Sequence, residues 1–110
     1  MTSYNLEATS ISPLSKNKPR QAIILCHGYG GDGKDISALA INWQRFLPDT
    51  IFLCPNAPEV CDVNPQGYQW FDLESENEEI ILEKSLIAEE KLNTFLDQVF
   101  DNLQLEPNNL

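Results

Sequence analysis

Two short apolar runs, separated by a glycine-rich loop and an amphipathic stretch, constrain the fold of this chain most. Residues 22–26 (AIILC) and 50–54 (TIFLC) show no polar alternation, which is typical of strands buried on both faces of a parallel sheet. Parallel neighbours need a crossover connection, and the residues between the two runs can supply a helix. The sequence therefore predicts an α/β protein, with a mostly parallel sheet and flanking helices.

Two amphipathic patterns supply the predicted helices. The first begins at Asp35, which can cap a helix, and ends at Pro48; its apolar positions are Ile36, Leu39, Ala40, Trp43, Phe46 and Leu47. The second begins with the capping box Ser75-x-x-Glu78 and keeps one apolar face, formed by Ile81, Ser85, Ala88, Leu92, Phe95, Leu96, Val99 and Leu103. We expect both faces to pack on the core. Residues 1–20 are predicted to form a weak edge strand and a loop, and residues 21–110 contain the strand, glycine-rich loop, helix, strand, loop and long helix of the same partial domain.

The charge is strongly acidic and unevenly distributed. The chain of 110 residues has a formal net charge of −10, and residues 72–106 alone hold eleven acidic residues and two lysines. We interpret this stretch as a solvated helix face. Because it repels phosphates, we expect neither nucleic acid nor an anionic lipid surface as a partner.

The compartment is constrained by hydropathy and by the cysteines. No run approaches the roughly 18 apolar residues that span a bilayer, and residues 1–6 have no basic stretch leading into an apolar one. We therefore expect no membrane span and no signal peptide. The three cysteines are an odd number without metal-ligand spacing; we expect Cys26 and Cys54 to be reduced core residues and Cys61 to be a free thiol in a loop. These features predict a cytoplasmic protein without a metal or a cofactor.

The glycine loop CHGYGGDGKD, residues 26–35, fits three kinds of site. It matches a dinucleotide fingerprint (Gly28-x-Gly30-x-x-Gly33), a phosphate loop up to its last position, and the His-Gly-x-Gly oxyanion loop of acyl-transfer hydrolases. Asp32 and Asp35 would repel a phosphate, and no acidic residue directly follows the second strand to bind a ribose. A nucleotide-binding βαβ unit is therefore the remote alternative.

The oxyanion interpretation explains more of the loop. A tetrahedral acyl intermediate carries one negative charge, which one or two backbone N–H groups can stabilise. The glycines let the chain turn sharply off the strand, and we expect the N–H of Tyr29 to face the cleft. We predict that His27 is structural, hydrogen-bonded under the loop, rather than the catalytic base.

Three motifs in order make the resemblance specific. The segments AIILCHGYGGDGKD, IFLCPNAPE and YQWFDL resemble the phospholipase/carboxylesterase family of α/β-hydrolases, which includes the acyl-protein thioesterases. The resemblance runs from residue 22 to residue 110. It implies the N-terminal part of an α/β-hydrolase fold and a small acyl ester or thioester as substrate.

The resemblance also implies roles for individual residues. Tyr29 matches the position of the first oxyanion N–H of the family, and Gly28, Gly30 and Gly31 shape its loop. Asp32 either holds the turn or touches the substrate. Trp70 and Phe71 match the aromatic segment near the acyl pocket, with core packing as the alternative. Residues 55–58 are expected to hold the loop after the second strand without taking part in the chemistry.

The catalytic triad of such an enzyme is not found in this sequence. The family needs Ser, Asp and His in that order, with the Ser in a G-x-S-x-G elbow, but none of the seven serines has this setting and His27 is the one histidine. We expect the chain to stop before the elbow, just after the Pro-Asn-Asn loop, and to be inactive alone. Two alternatives stay open: half of a split hydrolase completed by a C-terminal polypeptide, and a non-catalytic acyl-binding module.

Overall fold

The structure is a computed structural model that describes residues 4–110. In chain order its elements are β1 (Ala8–Ile11), β2 (Gln21–Ile24), α1 (Gly33–Trp43), β3 (Thr50–Pro55), β4 (Glu59–Val60), β5 (Tyr68–Gln69), α2 (Glu78–Leu103) and a short 3-10 helix (Pro107–Asn109). The two apolar runs thus form β2 and β3, and the two amphipathic patterns form α1 and α2.

Three strands form a mixed sheet in the order β1-β3-β2. β2 is parallel to β3, with Gln21 opposite Thr50, and α1 forms the crossover between them. β1 is antiparallel to β3, with Ala8 opposite Pro55. The predicted parallel pair and the predicted edge strand near the N-terminus are both confirmed. β3 is buried from Phe52 to Pro55 because it is the central strand, which explains why its sequence does not alternate.

The main core lies between the sheet and the C-terminal half of α2. Its fully buried members are Leu6, Ala22, Leu53, Phe95 and Val99. The ring of Tyr4 adds a tilted aromatic contact to Phe95, with 5.0 Å between centroids. The predicted apolar face of α2 is therefore confirmed from Ala88 onwards. Ile81, near the start of the helix, is 38% exposed because the sheet does not extend beneath it.

The predicted buried face of α1 is wrong in part. The residues that face the core are the small ones, Gly33, Ser37 and Ala40, whereas Leu39, Trp43 and Phe46 are exposed. Small side chains let the helix lie close to β1 and β3. A helix about 10–12 Å across covers most of a three-stranded sheet whose strands are about 4.8 Å apart. Bulky side chains on the lateral faces of the helix therefore extend beyond the edges of the sheet.

Both helix caps differ from their predictions. Asp32, rather than Asp35, caps α1: its Oδ1 accepts the N–H of Asp35 at 2.7 Å. Asn77, rather than Ser75, caps α2, and its Oδ1 accepts the N–H groups of Glu79 and Ile80. In each case the residue nearest the first helical turn has the extended backbone that brings its side-chain oxygen over the free N–H groups.

One cysteine prediction is also wrong. Cys26, expected in the core, is exposed, because β2 is an edge strand whose far side has no neighbour among the described residues. Cys61 carries a free thiol in a loop, as expected, and it is buried, with 2% of the residue exposed. Cys54 is buried as expected. Over residues 4–110, no helix is long and apolar enough to cross a membrane.

Candidate functional site

The glycine loop, residues 26–35, runs from just after β2 into the first turn of α1. It makes a tight turn in which the N–H of Gly31 donates to the carbonyl of Gly28 at 3.1 Å. Gly30 has a φ of 81°, a left-handed conformation that strongly favours glycine. The N–H of Gly33 donates to Oδ1 of Asn56 at 2.7 Å, which ties the start of the helix to the segment after β3.

His27 is buried beneath this loop, and both of its ring nitrogens are engaged. Nε2 accepts the N–H of Ala57 at 2.9 Å, and Nδ1 lies 2.6 Å from the carbonyl oxygen of Gly28. Because Nε2 is an acceptor, the proton of the neutral ring is on Nδ1, which donates to Gly28. The prediction that His27 is hydrogen-bonded under the loop is confirmed.

A hairpin at residues 59–70 holds the glycine loop from the outside. The N–H of Gly30 donates to the carbonyl of Tyr68 at 2.9 Å, and the N–H of Tyr68 donates to the carbonyl of Gly31 at 2.8 Å. Nδ2 of Asn64 donates to the carbonyl of Gly30 at 2.9 Å. Within the hairpin, the buried side chain of Gln69 accepts the N–H of Asp62 and donates to the carboxylate of Glu59. The hairpin thus binds the glycine loop at Gly30 and Gly31.

The contact between hairpin and loop is close enough to demand glycine at Gly67. A Cβ atom there would lie 2.0 Å from the carbonyl oxygen of Gly30, far inside van der Waals contact. The segment Asn64-Pro-Gln-Gly67 has the composition of a turn, and it is the sequence feature from which a hairpin here was predictable. Its attachment to the glycine loop, more than thirty residues away, was not visible in the sequence.

Tyr29 stands at the tip of the glycine loop. Within residues 4–110, no group accepts its backbone N–H, in contrast to the N–H groups of Gly30 and Gly31. Its side chain is 41% exposed. Desolvation and a hydrogen bond with the thiol of Cys61 raise the pKa of the Tyr29 hydroxyl above its ordinary value. The backbone N–H of Tyr29 is therefore free within the described residues, beside a partly exposed side chain.

An apolar groove of about 180 Å³ adjoins the tip of the loop and is lined by Tyr29, Trp70, Phe71 and Leu73. Two of the three predicted pocket residues, Trp70 and Phe71, thus lie together with Tyr29. Asp32 does not line this groove, since its carboxylate caps α1. Leu73 was missed by sequence reasoning, although it lies only two residues after the aromatic pair.

Trp70 packs against His27 and also lines the groove. Its ring stacks on His27, with 5.6 Å between centroids and 27° between planes, and its Nε1–H donates to the carbonyl of His27 at 2.9 Å. It also lines the groove. Trp70 is therefore both a packing residue under the loop and a wall of the groove.

An ion pair between Asp72 and Lys84 connects the aromatic segment to α2. Nζ of Lys84 lies 2.7 Å from Oδ1 and 2.8 Å from Oδ2 of Asp72, directly after the aromatic pair. The hydrogen bonds from Lys84 hold the pKa of the Asp72 carboxyl below its ordinary value, and Asp72 in turn raises the pKa of the Lys84 ammonium. The contact ties the aromatic segment to the first half of α2.

The described residues hold no assembled nucleophile and no metal site. The hydroxyls of Ser37 and Ser85 donate to carbonyls in their own helices, those of Lys34 and Leu82. No cluster of three or more His, Cys, Asp or Glu side chains suited to a metal ion occurs over residues 4–110. What the site offers is a free backbone N–H beside an apolar groove.

The strand, glycine loop, helix and strand arrangement defines a partial α/β-hydrolase fold. The chain belongs to the phospholipase/carboxylesterase family, whose profile it matches over residues 9–109. Among solved structures, the esterase PE8 is similar, with 37% sequence identity and a TM-score of 0.86. The match covers 94% of this chain and 49% of PE8, so the chain spans about half the length of that esterase.

Proposed function

We propose that this chain is the N-terminal half of a serine carboxylester hydrolase, in which the N–H of Tyr29 stabilises the oxyanion of the acyl intermediate. The observation that carries the proposal is the free N–H of Tyr29 at the edge of a groove walled by Tyr29, Trp70 and Phe71. The family membership supports an ester as substrate. The groove is apolar, which fits the acyl group of a small ester or thioester.

The chemistry requires donors that are already in place when the charge develops. In acyl transfer, an attacking oxygen turns the carbonyl of the substrate into a tetrahedral oxyanion, and a fixed N–H stabilises that charge without reorganisation. Loss of one such donor raises the barrier by about 3–4 kcal/mol in a serine hydrolase. The hairpin and His27 hold the loop in the conformation that leaves the Tyr29 N–H free.

The nucleophile and the base come from outside this chain in our proposal. His27 is unsuited as the base, since both of its ring nitrogens are engaged. An apolar groove of about 430 Å³ runs along the open edge of the sheet, lined by Ile23, Ile24, Cys26, Leu92, Leu96 and Leu110. This surface fits the segment that carries the Ser, Asp and His, either as a continuation of the chain or as a separate C-terminal polypeptide.

A fluorophosphonate probe, which marks activated serines, tests this division of labour. We expect no stoichiometric labelling of the 110-residue chain alone. We define the completed enzyme as this chain joined after Leu110 to the part of esterase PE8 beyond the matched half. The completed enzyme should be labelled and should hydrolyse a p-nitrophenyl ester. Labelling of the chain alone, or a folded but silent completed enzyme, would contradict the proposal.

A non-catalytic acyl-binding module is the second candidate, favoured by the groove that the chain already contains. Such a module would unfold cooperatively on its own and bind a fluorescent fatty acyl ester without the second half. If Phe71→Ala abolished that binding in the chain alone, the module would replace the hydrolase half as the better explanation. For either function we propose the cytoplasm, because the three cysteines carry free thiols, which suits a reducing compartment.

A further inference from the structure

The carbonyl of Gly28 accepts two hydrogen bonds, one from Nδ1 of His27 at 2.6 Å and one from the N–H of Gly31 at 3.1 Å. This carbonyl and the N–H of Tyr29 belong to the same peptide group. A peptide group is planar, and in its trans form the C=O and N–H bonds point to opposite sides. The described chain contains no cis peptide bond. Whatever fixes the carbonyl of Gly28 therefore also fixes the direction of the Tyr29 N–H.

The imidazole of His27 is well placed to do this because it cannot turn. Its Nε2 is held by the N–H of Ala57 at 2.9 Å, and one face of the ring is stacked on Trp70. The side chain is 5% exposed, so water does not compete for its nitrogens. With Nε2 as acceptor, Nδ1 carries the proton and donates to Gly28.

We propose that His27 is a positioning residue that orients the N–H of Tyr29 through the shared Gly28–Tyr29 peptide plane. The inference rests on the proposed role of that N–H in stabilising an oxyanion, and it adds the device that keeps the donor aimed. Without the bond from Nδ1, only the N–H of Gly31 holds the plane, and the plane can rotate about its flanking bonds. A misaimed donor lowers the rate of the chemical step while leaving the groove, and hence ester binding, intact.

Two substitutions separate the bond to Gly28 from the other contacts of the ring. In H27N the carboxamide N–H2 falls where Nδ1 lies and keeps a donor to Gly28, but the acceptor for Ala57 is lost. In H27Q the longer carboxamide reaches the position of Nε2 and keeps the acceptor for Ala57, but the donor to Gly28 is lost. Both lose the stack on Trp70, so the pair is matched for packing.

In the completed enzyme, we expect H27Q to lower kcat by at least about tenfold with KM within about twofold, since full loss of an oxyanion donor costs about 100- to 1,000-fold. H27N should stay within about threefold of the unsubstituted kcat, measured on the folded fraction. A merely structural role predicts something else: equal kcat values for both variants, with losses only in folded protein. That result would overturn the proposal.

A readout that needs no catalysis separates this proposal from the proposed function. Residual dipolar couplings report the direction of the Tyr29 N–H in the 15N-labelled chain. H27Q should change the coupling of Tyr29 and H27N should preserve it; unchanged couplings in both variants would refute the positioning role. If the couplings change as expected while the completed enzyme stays inactive, the proposed function fails and the positioning device stands.

If neither variant folds, a measurement on the unsubstituted chain still tests the positioning role of His27. A hydrogen bond from Nδ1 of His27 to Gly28 transmits a small scalar coupling between that nitrogen and the carbonyl carbon. We expect this coupling, together with the Nδ1-protonated form of the ring. Protonation of Nε2 instead of Nδ1 would overturn the proposal without any substitution.

Discussion

Single residues at the contact between the hairpin and the glycine loop set how closely two backbones approach. Gly67 is buried against the carbonyl of Gly30, and the thiol of Cys61 lies within 3.9 Å of where a Cβ atom on Gly30 would be. Gly28 begins the same turn, and a Cβ atom added there would have no neighbour within 4 Å. The glycine loop is therefore tightly packed at Gly30 and open at Gly28. The free N–H of Tyr29 directly follows Gly28, on the open side.

Gly67→Ala should destabilise the protein and displace the loop. The new Cβ would lie 2.0 Å from the carbonyl oxygen of Gly30, so backbone must move. Overpacking of this kind lowers the free energy of unfolding by about 1–3 kcal/mol, measurable by urea titration. Gly28→Ala is the control: nothing lies within 4 Å and φ is not left-handed, so its effect should stay within about 0.5 kcal/mol. Equal effects of the two substitutions would contradict this packing.

The Asp72–Lys84 pair should make the aromatic segment sensitive to acid. The pKa of Asp72 is lowered by Lys84, so its stabilising contribution is complete above the ordinary pKa of 3.8 and is lost as the pH falls through the lowered value. An NMR titration of the Asp72 carboxyl should give a pKa below 3.8 that rises in Lys84→Met. Lys34→Met, on the exposed side of α1, should leave it unchanged. An unchanged titration in Lys84→Met would show that the pair does not form in solution.

Among the elements, α2 is anchored at one end and free at the other. Its C-terminal half packs on the sheet through Phe95 and Val99, while its first turns expose a run of apolar residues, namely Ile80, Ile81, Leu82, Leu86 and Ile87. The first half is tied to the rest by the Lys84–Asp72 pair and by the cap at Asn77. Local interactions therefore matter more at the start of this helix than at its end.

Asn77→Ala should loosen the first turn of α2. The Asn77 side chain accepts the N–H of Glu79 at 2.9 Å and that of Ile80 at 3.3 Å. Loss of an N-cap costs about 1 kcal/mol, so amide hydrogen exchange at Ile80 and Ile81 should accelerate about fivefold. Ser75→Ala is the matched control, because Oγ of Ser75 accepts only the N–H of Asn77. Faster exchange in Ser75→Ala than in Asn77→Ala would show instead that Ser75 caps α2, as the sequence predicted.

At the scale of the whole molecule, the helix α2 is much longer than the sheet on which it packs. α2 has 26 residues and is about 39 Å long, whereas the strands of the sheet have four to six residues. The described chain extends 46 Å along its longest axis and 25 Å along the other two. Apolar surface is left open along β2 and beneath α2, in the groove that includes Ile24 and Leu92. The proposed second half would cover this surface.

Thiol alkylation measures whether the proposed second half covers the apolar surface along β2. In the chain alone, Cys26 is exposed while Cys54 and Cys61 are buried, so iodoacetamide should modify Cys26 first. Although the residue is exposed, desolvation of its thiol raises the pKa of Cys26 above its ordinary value, so the rate of modification should increase with pH. In the completed enzyme Cys26 should be protected. Equal modification of the three thiols, or no protection of Cys26 on completion, would contradict the proposed arrangement.

Much of the site was predictable because its parts are local in sequence. The order of motifs indicated the family, the glycines indicated the turn before α1, and the aromatic pair indicated the groove wall at Trp70 and Phe71. The sequence left Asp32 between two roles, and in the structure its carboxylate caps α1. The role of the Tyr29 N–H stays a prediction.

Alone, the sequence determined the strands β2 and β3, the helices and the turn between them, because apolar periodicity, glycine and proline act over a few residues. Only the tertiary structure decided which face of α1 is buried, that Cys26 lies at the open edge of the sheet, and that the hairpin binds the glycine loop. It also decided the hydrogen bonds of His27, whose partner Ala57 is thirty positions away. These features depend on contacts between distant segments, whose energies no local pattern encodes.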